Sequence, residues 1–407
     1  MKEIIRDFEV IDTVDYNNYG FLNGKKCFVK NSVVGDVVNI EIEKENKNCY
    51  FANIIDIIKP SKNRILPFCE YFGKCGGCDL QFFEENYYYD LKKNELYNNF
   101  LKNDFEIDLE DIEIFKTGKY SRRRINLKYS SGKYGFFKNN SNEIVEFKNC
   151  QLIDVDIQKI VDLLRKIKLT NLNSVDITKV DNGITLNFIF NKDPNIKDFE
   201  KLNNIKERCI LISYSINDEN IFFTIYKKEN PIVNIDGKDI VIPEKCFLQA
   251  TKKSQDFMIE KVKEYAKDYK VIADLYCGIG TYSYPLCDNA KVFSYEGNNF
   301  MIENFKKNKS NIQAFTRDLF NQPLTNSELN NFDLVVIDPP RNGAENQMKY
   351  LNKSKVKRII YISCSVDALM RDLKVLKDTY KIKKVFLIDQ FYMTKHCETI
   401  VIIDKIS

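Results

Sequence analysis

Near the C-terminus, Arg358-Ile-Ile-Tyr-Ile-Ser363 is an apolar, β-branched run that reads as a buried strand. Cys364 follows it, at the end of a strand where open α/β sheets collect ligands and chemistry. A cysteine there serves as a nucleophile if it has access and thiolate character; buried apolar filler is the other use of such a residue. Farther on, Asp389-Gln-Phe391-Tyr-Met-Thr394-Lys-His396-Cys-Glu398 supplies a carboxylate, Glu398, able to lie across from that thiol. A carboxylate beside a dry pocket works as a general base once its pKa is tuned. His396, the one histidine of the chain, is read as an orienting hydrogen-bond partner rather than as the base.

From about Cys246 onward strands alternate with helices, the pattern of a doubly wound sheet. Val271-Ile-Ala-Asp274-Leu-Tyr276-Cys-Gly278-Ile-Gly280-Thr281 is a strand entering a glycine turn and then a helix. The third glycine of the dinucleotide fingerprint is missing, so the turn alone is a weak signal. The surrounding acids sharpen it. Asp274 precedes the turn, and Glu296 ends the next strand, where an acid accepts hydrogen bonds from ribose hydroxyls. Asp318 follows a further apolar stretch, placed to accept from an adenine amino group. Asp338 closes the strand before Pro339-Pro340, whose fixed backbones stop it. Singly, each acid could be a helix cap. Four at successive strand ends read as a nucleoside pocket, and a turn without a phosphate-binding lysine suits S-adenosylmethionine better than a nucleoside triphosphate.

At 407 residues and 44% hydrophobic content, two or three domains with sizeable cores are expected. A net charge of +4 is too small to indicate nucleic acid by itself, so any RNA reading rests on local patches. No apolar run has the roughly 18 residues of a membrane span. The first residues lack an apolar run followed by a small-residue cleavage site. A cytoplasmic protein with no membrane contact, monomeric, is the expectation. Twelve cysteines in that compartment argue against a disulfide framework. A single histidine excludes multi-histidine metal sites.

Residues 1–58 alternate apolar and polar positions between turn signals at Gly20, Asn23-Gly24 and Gly35-Asp36, the pattern of a small OB-like β-barrel. Its uses are RNA binding or packing alone. The segment 59–245 reads as α+β. It opens with Cys69, Cys75 and Cys78 spaced C-x5-C-x2-C around Gly76-Gly77, three thiolates able to converge on one metal centre. Cys150 is the best candidate for a fourth ligand, and zinc fits that count as well as an iron–sulfur cluster. Between them, Arg122-Arg123-Arg124 and Phe136-Phe137-Lys138 interleave guanidinium groups with aromatic rings, which suits phosphates and unpaired bases. A solvated strand edge is the plainer reading. The part from 151 to 245 shows no chemistry of its own. The third domain spans 246–407.

Taken together, Gly20-Phe21, Phe28-Val29-Lys30, Gly35-Asp36 and Pro60 to Arg64 resemble a TRAM domain. The whole chain resembles the RNA uracil-5-methyltransferases, in particular their iron–sulfur-containing 23S ribosomal RNA branch. The match is carried by the cysteine loop ending in Gln81, Phe247-Leu-Gln249, Asp274 to Gly280, Asp338-Pro-Pro-Arg341, Tyr361 to Cys364 and Asp389 to Glu398. The resemblance implies a doubly wound, Rossmann-like methyltransferase domain at the C-terminus. It implies a 4Fe–4S cluster on Cys69, Cys75, Cys78 and Cys150, and S-adenosylmethionine contacts from Gln249, Tyr276, Thr281, Glu296, Asp318 and Asp338. Cys364 would be the nucleophile, Glu398 the base, and a flipped uridine of 23S ribosomal RNA the substrate. A transfer RNA substrate, or a non-catalytic RNA-binding iron–sulfur protein, are the alternatives. Three departures from the family stand out: Ser365-Val366 replaces Asn-Pro, Tyr392 replaces a proline, and Thr251 replaces an asparagine.

Overall fold

The structure, a computed structural model, describes residues 3–217, 221–244, 246–308 and 311–406, apart from the side chain at 306. The expected boundary at Lys245 lies outside the described residues. The chain divides into two compact units. One comprises Met1–Gly73, Cys78–Leu109 and Met393–Lys395; the other comprises Lys74–Gly77, Glu110–Tyr392 and His396–Ser407. These limits differ from those of the three segments read from the sequence.

The first unit holds a six-stranded sheet whose strands run from Ile4–Glu9 to Cys49–Lys59, packed on Phe8, Val10, Cys27, Val29, Val38 and Ile40. Its turn chemistry centres on Asp36, which is fully buried. That carboxylate accepts from the Val33 and Ser61 N–H groups and from the Arg64 guanidinium. Gly35-Asp36 and Arg64, distant in sequence, thus close one buried ion pair. The helix Glu85–Lys102 follows, capped by the Glu84 carboxylate on the Tyr87 N–H.

The second unit contains the chemistry. Its largest sheet is built from β1 (Ile112–Lys116), β2 (Val271–Leu275), β3 (Lys291–Glu296) and β4 (Gln313–Thr316). It continues with β5 (Leu334–Ile337), β6 (Arg358–Ser363), β7 (Tyr380–Asp389) and β8 (Glu398–Lys405). The order is β4-β3-β2-β5-β6-β8-β7-β1. β2 to β6 are mutually parallel, and β8 is antiparallel to both β6 and β7. Every residue of β5 and β6 is buried, as expected of strands covered on both faces. The chain runs outward from β2 through β3 and β4 and then returns to β5 on the other side of β2, which makes the β2/β5 boundary the switch point where such sheets bind ligands. β1 was not foreseen: it comes from the expected central segment and pairs in parallel with β7, Ile112 facing Val385.

A seven-stranded sheet occupies the middle of the same unit, with Arg124–Ser130, Leu172–Val180, Gly183–Phe190 and Leu211–Ile216 adjacent in that order. Among the described residues, no helix is long and apolar enough to cross a membrane.

Candidate active site

β8 pairs with β6 so that Ser363 faces Thr399. One further step of this antiparallel register sets Cys364 opposite Glu398. Glu398 is only 3% exposed. Burial pushes its carboxyl up to about 7, while the Gln390 amide and the Arg341 charge pull the other way. Gln390 Nε2 donates to Glu398 Oε2 at 2.6 Å and to Gln249 Oε1 at 2.9 Å. Its own Oε1 accepts the Ala250 N–H at 3.0 Å. One glutamine therefore ties the carboxylate to Gln249. Nothing in its type or spacing marks Gln390; it emerges only from the pairing of β7 with β8, Ile388 facing Glu398. Gln390 thus orients Glu398, and His396 is exposed, edge-on to the Phe391 ring at 6.3 Å.

Cys364 sits half-buried in the bend after β6. Burial and the Glu398 carboxylate push its thiol up; Arg341 pulls it down, and Asp338 pushes it up again. The following residues explain two departures from the family. Ser365 is the N-cap of the helix Val366–Lys374, its hydroxyl accepting the Ala368 N–H. Val366 is the first helical residue, a place where proline and other residues interchange readily. Thr251 likewise caps the helix Lys252–Ala266 through the Ser254 N–H. Ser for Asn and Thr for Asn each exchange one good N-cap for another. Tyr392 is buried, and nothing in its surroundings explains the replacement of a proline there.

The acids stand along the same strand ends. Asp274 is fully buried and its carboxyl rises to about 7 through burial; Ser283 Oγ donates to Oδ2, and Oδ1 has no partner. Glu296 accepts from the Gly278 N–H at 3.1 Å and the Asn298 N–H at 2.9 Å, which fastens the glycine turn to the end of β3. Gly280 has φ +88°, and Thr281 beside it is half-buried. Tyr276 holds φ +61°, uncommon for a side chain of its size, at the exit of β2. Burial lifts its phenol to about 12, with Asp318 the next cause. Asp318 itself is exposed and accepts from Asn321 and the Phe320 N–H, which holds its carboxyl below the usual range. Asp338 lies partly open at the end of β5, yet burial together with Glu398 and Asp274 drives its carboxyl well up. Two acids that disfavour the charge on Asp338 make this crevice receptive to a cation. With carboxylates at the ends of β2, β3 and β5 and a glycine turn between them, the residues fit a nucleoside that carries a positive sulfonium.

The three consecutive arginines divide. Arg123, just ahead of the strand Arg124–Ser130, is buried, donating to the Gln249 carbonyl at 3.0 Å and to Gln255 Oε1 at 2.6 Å. Arg123 is therefore structural, which corrects the reading of all three as one patch.

Cys69 and Cys78 belong to the first unit, Cys75 and Cys150 to the second. All four are of intermediate burial. Among the described residues, no group of three or more Cys, His, Asp or Glu is placed to hold a metal ion. No chemistry below passes through the four-thiolate site expected from spacing.

Known proteins agree with this arrangement. An uncharacterized RNA methyltransferase of Mesorhizobium japonicum is 29% identical over 93% of this chain and 92% of its own. The 23S rRNA (uracil(1939)-C(5))-methyltransferase of Aliivibrio fischeri is 27% identical over 96% and 94%. Among solved structures, the tRNA (uracil-54, C5)-methyltransferase of Pyrococcus abyssi in complex with S-adenosyl-L-homocysteine has the same fold. Its TM-score is 0.77 at 23% identity, covering 97% of this chain and 98% of that one. The model of the tRNA (Uracil-5-)-methyltransferase family matches residues 195–406, from the central sheet through β8. With its family model spanning the strand ends that carry Asp274, Asp338, Cys364 and Glu398, the chain belongs to the tRNA (uracil-5-)-methyltransferase family.

Proposed function

We propose that this protein methylates carbon 5 of a uridine in RNA, with S-adenosylmethionine as methyl donor and Cys364 as nucleophile. The observation that carries the reading is the β6/β8 register, which sets a half-buried thiol opposite a buried carboxyl whose pKa is about 7. Carbon 5 of uracil is too weak a nucleophile to take a methyl group unaided. The Cys364 thiolate adds to carbon 6, forming a carbon–sulfur bond and pushing electrons toward carbon 5 as an enolate. Bound donor supplies the electrophilic methyl, which carbon 5 takes. Glu398 then removes the proton from carbon 5, the carbon 5–carbon 6 double bond re-forms, and the Cys364 thiolate leaves. Arg341 favours the thiolate through its charge, and Gln390 holds Glu398 in its ionised, acceptor form.

Gln249, Tyr276, Thr281, Glu296, Asp318 and Asp338 are the donor-binding residues in this reading. The uridine leaves its stack to reach both Cys364 and Glu398. Residues 1–58 serve as an RNA-binding, TRAM-like module, ahead of a central segment to 245 and the methyltransferase domain from 246. A 23S ribosomal RNA substrate is favoured by the Aliivibrio fischeri relative, which aligns over nearly both full chains. The test is to map 5-methyluridine in ribosomal and transfer RNA from cells with and without the protein. Loss at one 23S position is expected; loss confined to transfer RNA would move the substrate, and no loss in either would overturn the activity.

A further inference from the structure

Outside the crevice, the second unit has a cavity of about 400 Å³ over one face of its seven-stranded sheet. That size lies in the range of small-ligand pockets. The sheet is two-sided. One face carries Ile125, Leu127, Val175, Ile177, Leu186 and Phe188, all buried. The other carries a polar row drawn straight across four strands, since Asn126 faces Asp176, Asp176 faces Asn187, and Asn187 faces Ser213. A second row, Arg124–Thr178–Thr185, lies beside it.

Polar side chains on a covered sheet face cost desolvation unless they are matched, and most here are matched. Asn126 Nδ2 donates to Asp176 Oδ1 at 2.8 Å, and Asn187 Oδ1 accepts from Ser213 Oγ at 3.0 Å. Asn126 and Asp176 both line the cavity, so its floor offers the Asp176 carboxylate, braced by the Asn126 amide. That floor asks for a ligand rich in N–H donors.

The rim asks for something flat and anionic. Arg124 lies over the Phe247 ring at 4.4 Å and Arg122 over the Phe391 ring at 5.7 Å, and both arginines line the cavity. Guanidinium–aromatic pairs accept a base by stacking and a phosphate by charge. Ala250 and Phe391 complete the wall. They are the chain neighbours of Gln249 and Gln390, and the Ala250 N–H bonds the same glutamine that holds Glu398. The cavity wall is therefore continuous in the chain with the residues that hold Glu398.

We propose that this cavity takes an unpaired guanine of the substrate RNA, a neighbour of the methylated uridine, with its N1–H and amino group both on the Asp176 carboxylate. Guanine is the RNA base that presents two adjacent donors on one edge; uracil and inosine lack the amino group. Its backbone phosphate lies against Arg122 and Arg124. The inference rests on the RNA-methyltransferase reading and adds a second recognition point to it.

The test is fluorescence anisotropy with the full chain and three labelled five-residue RNAs that differ only at the central base: guanosine, inosine or uridine between uridines. The guanosine oligomer is expected to bind about tenfold more tightly than the other two, the discrimination of one bidentate contact. Asp176→Asn should erase that preference. Should Asp176→Asn fail to fold, Phe247→Ala, at an exposed ring, serves: it should weaken all three oligomers about tenfold by lost stacking and keep their ranking. Equal binding of the three oligomers by a wild-type protein that still methylates RNA would overturn the guanine site alone. Absence of any RNA binding together with absence of methylation would overturn both this site and the activity on which it rests.

Discussion

Gln390 Nε2 lies 2.6 Å from Glu398 Oε2 and binds Gln249 Oε1 through the same amide nitrogen. The amide stabilises the charged carboxylate against burial, so its effect is to lower a pKa that stands at about 7. As the proposed base, Glu398 must be ionised, so the rate should show an acid limb near pH 7, below the further rise that the Cys364 thiol, held above its ordinary value, adds at higher pH. Gln390→Ala removes a donor to the charged form, which moves that limb upward by about one pH unit. A pH profile of single-turnover methylation checks it; an unmoved limb with a lower rate would mean that Gln390 only packs.

The thiol of Cys364 faces two carboxyls and one arginine, and the carboxyls and burial hold it up. A cation bound in the crevice should offset them. S-adenosylmethionine or the cationic analogue sinefungin should therefore speed alkylation of Cys364 by iodoacetamide relative to neutral S-adenosylhomocysteine. The Cys364 peptide, followed by mass spectrometry, reports this against the remaining eleven thiols. Equal rates with charged and neutral ligands would refute an electrostatic role for the donor.

Arg122 and Arg123 are adjacent but should fail differently. Arg123 is buried and bonds the Gln249 carbonyl, so Arg123→Ala leaves a carbonyl and the Gln255 amide unmatched. A loss of about 2 kcal/mol in stability is expected, with weakened donor binding. Arg122→Ala should leave the denaturation midpoint in place and weaken RNA binding only, an effect that salt suppresses. Urea melts and RNA titrations at two salt concentrations separate the two.

The two glycines of the turn also part company. A Cβ on Gly278 at φ +54° meets nothing within 4 Å, so Gly278→Ala costs only the left-handed backbone, about 1 kcal/mol. A Cβ on Gly280 lies 2.8 Å from Phe305 Cζ and 2.9 Å from Tyr284 Cε2. Overpacking adds about 1–3 kcal/mol to the backbone cost there, and Gly280→Ala should be the less stable variant in urea.

The methyltransferase sheet was legible because its central strands are buried on both faces and so read as unbroken apolar runs, each closed by an acid or by Cys364. β1 was not, because a parallel edge pairing between Ile112 and Val385 leaves no local trace in either segment. Arg123 was not legible as structural, because its partners, the Gln249 carbonyl and Gln255, lie more than a hundred residues away in the chain. Ser365 and Thr251 looked like weak points until their hydroxyls proved to cap helices, a signal that residue type alone carries. Asn126, Asp176 and Asn187 gave no warning: only cross-strand register makes a row of residues so far apart in the chain.

The central claim is that Cys364 adds to carbon 6 of the uracil, and a single measurement reaches it. RNA carrying 5-fluorouridine lets the thiolate add and the methyl transfer, but fluorine in place of the carbon 5 proton gives Glu398 nothing to remove, so the adduct persists. With S-adenosylmethionine present, the wild-type protein should form a protein–RNA complex that survives denaturing electrophoresis, its mass increased by the methylated nucleotide at the Cys364 peptide. Cys364→Ala should form none. A stable complex in the Cys364→Ala variant, or a wild-type adduct mapped to another cysteine, would contradict the account.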